Sequence, residues 1–270
     1  MILEKTIDLI KQIYQDHKKI PLKVAKVVIG LGYTGVEVSN YANKSFLGLA
    51  ATLPTVVNIT DCSKIKFAGN LTNKPISELL SWSLEIPSIK KIIGIATLNG
   101  LSQHVMEVNN TYLDLREDLL SYLKIEQSSK VMVIGLMKPL IRKLVKNTNL
   151  ITIIEDLISV PPEFNSINFR TNIEQLKPEE LYIDVLFCTG TTLINNTIDK
   201  ILTLFKRKAQ KIAIIGPSAS LIPDILFDNG VDIVGGMKIS DIEATFKVLQ
   251  EGGGTKLFKQ FGKKYNLIKV

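Results

Sequence analysis

The residues most able to do chemistry in this chain sit directly after short apolar runs in its second half. The run 185–188 leads into Thr189-Gly190-Thr191-Thr192, with Asn195, Asn196 and Thr197 close behind. A glycine among small hydroxyl residues presents backbone N–H groups and hydroxyls together, which suits a carboxylate, a phosphate or a polar ring edge. Capping the next helix needs one such residue, and the surplus points to a ligand site. The run 212–215 leads into Gly216-Pro217-Ser218-Ala219-Ser220, and 231–234 leads into Gly235-Gly236. The run 151–154 ends in Glu155-Asp156, and 131–134 ends in Gly135-Leu136-Met137-Lys138-Pro139. An acid at the end of a second strand is where nucleotide folds bond ribose hydroxyls; a solvated strand end explains Glu155 equally well. The bulky residues after Gly135 make a poor phosphate cradle, which argues against a nicotinamide dinucleotide. If a proton is moved, Glu155 and Asp241 are the acids best placed, with Asn99 and the threonines as orienting donors. The expected set is Glu155 and Asn99 in catalysis, and Gly135, Thr189, Gly190, Thr191, Thr192, Asn195, Gly216, Pro217, Ser218 and Gly236 in ligand binding.

Other chemistries find less support. Residues 30–35 spell Gly-Leu-Gly-Tyr-Thr-Gly after a strand, a literal dinucleotide fingerprint. That motif works only where its last glycine opens a helix, and here Val36-Glu37-Val38-Ser39 continues in period two. Nothing acidic lies between Glu37 and Asp61 to meet a ribose. The segment therefore reads as a hairpin turn whose glycines supply positive φ. His17 and His104 are isolated, as are Cys62 and Cys188, and no spacing resembles a metal site. His104 on its helix reads as an ordinary surface or core residue. No Gly-x-Ser-x-Gly elbow occurs.

The elements that must position these residues change character along the chain. Residues 2–17 carry apolar positions at helical spacing, ended by Pro21. Residues 24–29 and 36–41 read as strands joined by a few residues, hence antiparallel. Residues 48–52 read as a further strand or loop, and 77–84 and 88–106 as helices. From residue 113 a helix over 115–123 is followed by apolar strands alternating with helical stretches such as 195–207 and 222–228. That alternation is the signature of a parallel doubly wound sheet. The expected fold is α/β in two domains, 1–112 as α+β (antiparallel hairpin plus helices) and 113–270 as the parallel-sheet domain. Gly252-Gly253-Gly254 has more freedom than a helix cap needs, and reads as a hinge or lid over the crevice.

Length and composition fit an ordinary globular chain of 270 residues, 46% hydrophobic and 22% charged. Charges within residues 1–11 exclude an uncharged signal core, and no run of 18 apolar residues could span a membrane. Two distant cysteines read as free thiols, which makes cytoplasm the expected address. The net charge of +7 is spread, with 12 Lys/Arg against 8 Asp/Glu up to residue 112 and 21 against 18 beyond it. Only four of the cations are arginine, so a solvated lysine surface is favoured over a nucleic-acid partner. A homodimer is the base-rate expectation.

Together these motifs resemble a family. Residues 189–199, Gly216-Pro217-Ser218-Ala219, Phe227-Asp228-Asn229-Gly230-Val231-Asp232 and Glu251-Gly252-Gly253 resemble, in order and spacing, the putative heavy-metal chelation family. The strand 24–30, Gly48-Leu49-Ala50 and Asn99-Gly100-Leu101 fit its companion domain, with Gly100 where the family usually has alanine. The resemblance implies an enolase N-terminal-like domain followed by a Rossmann-like domain with partial likeness to methyltransferases, and a site in the cleft between them. It implies an enzyme acting on a polar heterocycle or chelator precursor, pterin-, flavin- or siderophore-like; no cofactor is assigned. The alternative is a non-enzymatic binder or carrier of a metal chelate. A methyltransferase-like or nicotinamide-dependent enzyme and a basic RNA-associated protein are weaker readings.

Overall fold

The computed structural model describes residues 1–16, 22–40, 44–57, 65–109, 112–156, 161–164 and 167–269. His17, Pro21, Tyr41, Asp61 and Cys62 lie outside the described residues.

The chain opens with helix α1 (Ile2–Asp16), which buries Ile2, Leu3, Ile7 and Ile10 on one face. Strands β1 (Lys23–Ile29), β2 (Tyr33–Ser39) and β3 (Ser45–Ala51) form an antiparallel meander. Short helix α2 (Ile76–Ser81) runs through a 3-10 turn (Trp82–Leu84) toward α3 (Ile89–Asn109). Helix α3 is buried nearly all round, as a helix enclosed by its own fold must be. Its backbone lies directly on β3: a Cβ on Gly48 would stand 1.9 Å from Ala96 O and 2.2 Å from Gly100 N.

The rest of the chain builds one eight-stranded sheet. In chain order its strands are β4 (Leu113–Asp114), β5 (Val131–Ile134), β6 (Ile151–Ile154), β7 (Asn168–Arg170), β8 (Ile183–Thr189), β9 (Ala209–Ile215), β10 (Ile233–Ile239) and β11 (Gly262–Ile268). The spatial order is β4-β11-β10-β9-β8-β5-β6-β7, with β5 to β10 parallel and β11 antiparallel to both β10 and β4. Numbered by themselves, the six parallel strands run 3-2-1-4-5-6, the doubly wound order in which the chain reverses direction between β5 and β8. Helices α4 (Leu119–Tyr122), α5 (Lys138–Leu144), α6 (Ile198–Phe205), α7 (Asp224–Asp228), α8 (Ile242–Gln250) and α9 (Thr255–Phe258) complete the fold.

Several expectations are revised. The helix read over 115–123 is only α4, because Leu115 N–H still donates to Asn266 O of β11 and the helix begins after its cap Asp118, which accepts from Leu120 N. Gly235 and Gly236 are not a turn after a strand but the middle of β10, which runs on to Ile239 as a ribbon with β11. Gly30, Gly32 and Gly35 do lie at the antiparallel β1–β2 turn, with Gly35 inside β2, but none has positive φ. Their use is close approach: a Cβ on Gly30 would stand 2.4 Å from Leu249 O. Residues 252–254 lie beside that same turn, where the carbonyl of Gly253 comes nearest to Gly32. His104 is a core residue, bonded through Nδ1 to Tyr14 OH at 2.6 Å.

The core explains how the two sheets are held. The largest apolar cluster runs from Ile2 through Val36, Phe46 and Leu98 to Cys188, Leu193, Leu221 and Val234, so both sheets share it. A second cluster joins Val28, Leu47 and Leu49 on the other face of the meander to Met237 of β10, Phe246 and Leu249 of α8, and Phe258 of α9. The meander is therefore covered on both faces.

Within this core Lys91 is only 1% exposed, its Nζ donating to Ser83 O at 2.6 Å. Burial pushes its ammonium down to about 8, with Asp199 and Glu85 partly opposing. Through this group the unfolded chain binds more protons between pH 8 and 10.5, so Lys91 contributes stability that rises with pH across that window. Buried Cys188 and Tyr265, whose pKa values are raised, pull the other way above about pH 9. Urea denaturation of the parent and of Lys91→Met isolates the effect: the stability difference between them should move in the parent's favour as pH rises from 8 to 10.5. Gly48→Ala should destabilise by about 3 kcal/mol or more, because the backbone of α3, which cannot turn aside as a side chain can, stands within 2.2 Å of the new methyl. Gly100→Ala meets nothing closer than 3.2 Å and gains helix propensity, so the same titration should place it within about 1 kcal/mol of the parent.

Candidate functional site

The site is read at the carboxyl ends of the parallel strands, where open sheets bind ligands. After β5, Gly135 has φ +97, and a Cβ there would meet Thr189 Cγ2 at 2.4 Å, so only glycine fits. The next N–H, that of Leu136, donates to Glu155 Oε2 at 2.5 Å. Those of Met137 and Lys138 donate to Gly135 O and Leu136 O. With its donors spent internally, this turn offers no cradle for a pyrophosphate. Glu155 itself is half-buried at the end of β6, its N–H donating to Arg170 O. The acid at the second strand end thus folds back onto the turn after the first.

Residues 190–193 make a 3-10 turn capped by Thr189, whose Oγ1 accepts from Thr191 N. Thr192 Oγ1 donates to Thr189 O at 2.8 Å, which leaves Thr189 and Thr191 half-buried at the rim. A Cβ on Gly190 would stand 2.5 Å from Ala219 N, so this turn lies in contact with the one after β9. There Gly216 has φ +123 and its N–H donates to Gly235 O. Ser218 Oγ accepts from Ala51 N at 2.9 Å, tying the turn to the end of β3.

Helix α3 completes the arrangement. Asn99 Nδ2 donates to Leu49 O at 2.8 Å and to Ser218 O at 3.0 Å, while its Oδ1 is buried with no hydrogen-bond partner. One turn on, Gln103 Nε2 donates to Ser220 O at 3.1 Å and to Tyr265 OH at 2.8 Å. Asn99 is wholly buried, and its amide ties α3 to β3 and to the turn after β9.

Of the residues expected from sequence, the fold brings together Gly135, Glu155, Thr189, Gly190, Thr191, Thr192, Gly216, Pro217 and Ser218, with Asn99 behind them. Asn195 is exposed, and its Oδ1 caps locally by accepting from Thr197. Gly236 lies inside β10 under Tyr265, whose hydroxyl would be 2.3 Å from a Cβ there. Asp241 caps α8, accepting from Ala244 N. Cys188 is fully buried, and burial raises its thiol pKa.

Sequence reasoning missed a groove of about 360 Å³ between α3 and the β10–β11 ribbon. It is lined by Gln103, Met106 and Glu107 of α3, by Tyr112, and by Lys238, Tyr265 and Leu267 of the ribbon. The i, i+3, i+4 spacing of the first three and the alternation of the last two were legible signals, but nothing local joins them. Burial pushes the Tyr265 phenol up to about 12. Burial also raises Glu107, but hydrogen bonds and charge from Lys238 and Lys44 outweigh it and hold the carboxyl below its usual range.

Two sequence-family profiles, both described as "Putative heavy-metal chelation", match residues 118–268 and 13–102. The chain belongs to this family. Its relatives include an uncharacterized protein of Methanocaldococcus jannaschii, 26% identical over 98% of this chain and 96% of that one. The crystal structure of a protein of unknown function from Pyrococcus horikoshii superposes with a TM-score of 0.73 at 22% identity, covering 100% of both chains. Another, from Desulfitobacterium hafniense DCB-2, gives 0.72 at 18% identity over 96% of this chain and 100% of that one. The heavy-metal label meets no protein-borne donor set among the described residues, where no group of three or more His, Cys, Asp or Glu could hold an ion. Among the same residues no helix is long and apolar enough to cross a membrane.

Asn99 gives a direct test of how this family member holds its two sheets together. Because its amide donates to two carbonyls, Asn99→Asp should cost more than Asn99→Ala, which itself should cost about 1–3 kcal/mol. A carboxylate buried against carbonyls favours its protonated form, so the excess cost of Asn99→Asp should shrink as pH falls toward about 4. Denaturation midpoints of the two variants at pH 4 and pH 8 measure both effects.

Proposed function

We propose that this family member is a small-molecule enzyme that acts on a polar heterocycle or chelator precursor. The ligand sits where β5 and β8 diverge, between Glu155 and the turns 189–192 and 216–218, with α3 and the end of β3 as the adjoining wall. One observation carries the reading. At the sheet's switch point a half-buried carboxylate and two half-buried threonines lie on adjoining turns, and the third turn is bonded to the other sheet through Asn99 and Ala51. Carboxylate and hydroxyls together suit proton transfer on a substrate bearing ring nitrogens or carbonyls. The spent donors after β5 weigh against a dinucleotide.

A second reading has its own support. The family description speaks of heavy metal, yet the described residues offer no donor cluster. Metal would then arrive already held by a small molecule, and the protein would be its binder or carrier.

Calorimetry and thermal shift with pterin, lumazine, S-adenosylmethionine and a nickel–nitrilotriacetate complex separate the two. The enzyme reading expects binding of one of the first three and chromatographic evidence of turnover. Glu155→Gln should then lower the rate by about 10²–10⁴, with affinity changed less than tenfold. Binding of the metal complex without turnover, with Glu155→Gln affecting affinity alone, supports the carrier. No response from any of the four overturns both.

A further inference from the structure

The groove beside Gln103 lies behind the 216–220 turn rather than on the rim assigned above, and its lining has a chemistry of its own. Its volume of about 360 Å³ is near the lower end for small-molecule sites, enough for one or two rings and too small for a dinucleotide. Met106 and Leu267 supply apolar surface, Met106 as an adaptable thioether that packs well against aromatic rings. Tyr112 and Tyr265 supply aromatic surface, and both phenols are already bonded: Tyr112 OH to Asp224 Oδ2 at 2.6 Å, and Tyr265 OH to Gln103 Nε2. Their rings are therefore held in place before any ligand arrives, which lowers the ordering cost of binding.

The charges are also arranged. Glu107 bonds both Lys44 and Lys238, so the trio keeps one positive charge in excess. Two further carboxylates flank the lining and keep their charge: Asp224 accepts from Tyr112 OH, and Asp114 accepts from the N–H of Asn266 and pairs with Lys263. Lys238 belongs both to the groove lining and to this trio, and its side chain is 53% exposed, so its ammonium can take a ligand carboxylate while still paired with Glu107.

We propose that this groove binds an aromatic carboxylic acid, its ring against Met106, Tyr265 and Leu267 and its carboxylate on Lys238. Residues of α3 and of the β10–β11 ribbon build it, so the ligand bridges the two. The proposal is independent of the switch-point reading.

Calorimetric titration of the full chain with anthranilate tests it, with anthranilamide as the neutral isostere. Saturable anthranilate binding is expected, at least tenfold tighter than that of anthranilamide. Lys238→Met should weaken anthranilate at least tenfold and leave anthranilamide unchanged. Leu267→Trp should abolish both by filling the groove; should it fail to fold, Met106→Trp serves the same purpose. Glu155→Gln should leave anthranilate binding as it was, which separates this site from the switch point. Absence of saturable binding up to 10 mM, equal affinity for the two probes, or no effect of Lys238→Met overturns the proposal.

Discussion

Everything in this molecule depends on how closely α3 approaches its neighbours. Gly48 lets the helix backbone rest on β3, and from that position Asn99 and Gln103 reach the turn after β9. A helix displaced by one side chain would put those amides out of bonding range. The missing side chain at position 48 is thus what allows two sheets of different construction to share a core. The buried hydrogen bonds then fix their register, since leaving any of those carbonyls unpaired is expensive.

Fixing α3 in this way has effects at both candidate sites. On one side it holds Ser218, and through it the turns that carry Gly190 and Thr189. On the other it holds Tyr265 and opens the groove under Glu107. The turn 217–220 links the two, bonded to Asn99 through Ser218 O and to the groove residue Gln103 through Ser220 O. The Oδ1 of Asn99, buried behind that turn, has no hydrogen-bond partner.

The parts visible from sequence are those whose cause is local. The runs 131–134 and 151–154 coincide with β5 and β6, because a parallel strand covered on both faces leaves an unbroken apolar signal. The strand-end turns were legible for the same reason, glycine and hydroxyl residues marking where the runs stop. Strand β11, Gly-Lys-Lys-Tyr-Asn-Leu-Ile, gave no such signal because its polar residues are tolerated on half-exposed positions. Strand β7 has only three residues. Gly235 and Gly236 read as a turn because their reason for being glycine is supplied by Asn266 and Tyr265, some thirty residues away. The turn at 30–35 was placed correctly for the wrong cause: its glycines answer to α8, not to φ. Gln103, Lys238 and Tyr265 converge only through the crossing of α3 with the ribbon, and no periodicity reports a crossing.

The double covering of the three-stranded meander has a consequence for synthesis. One face, with Val36, Val38 and Phe46, meets α3 within the first 109 residues. The other, with Val28, Leu47 and Leu49, is closed by Met237, Phe246, Leu249 and Phe258, which leave the ribosome far later. At about 5–20 residues per second, that sheet spends on the order of ten seconds or more with half its apolar surface bare. The nascent chain must therefore carry a sticky, half-finished sheet through most of its own translation, and the last quarter of the sequence acts on the first as its built-in cover.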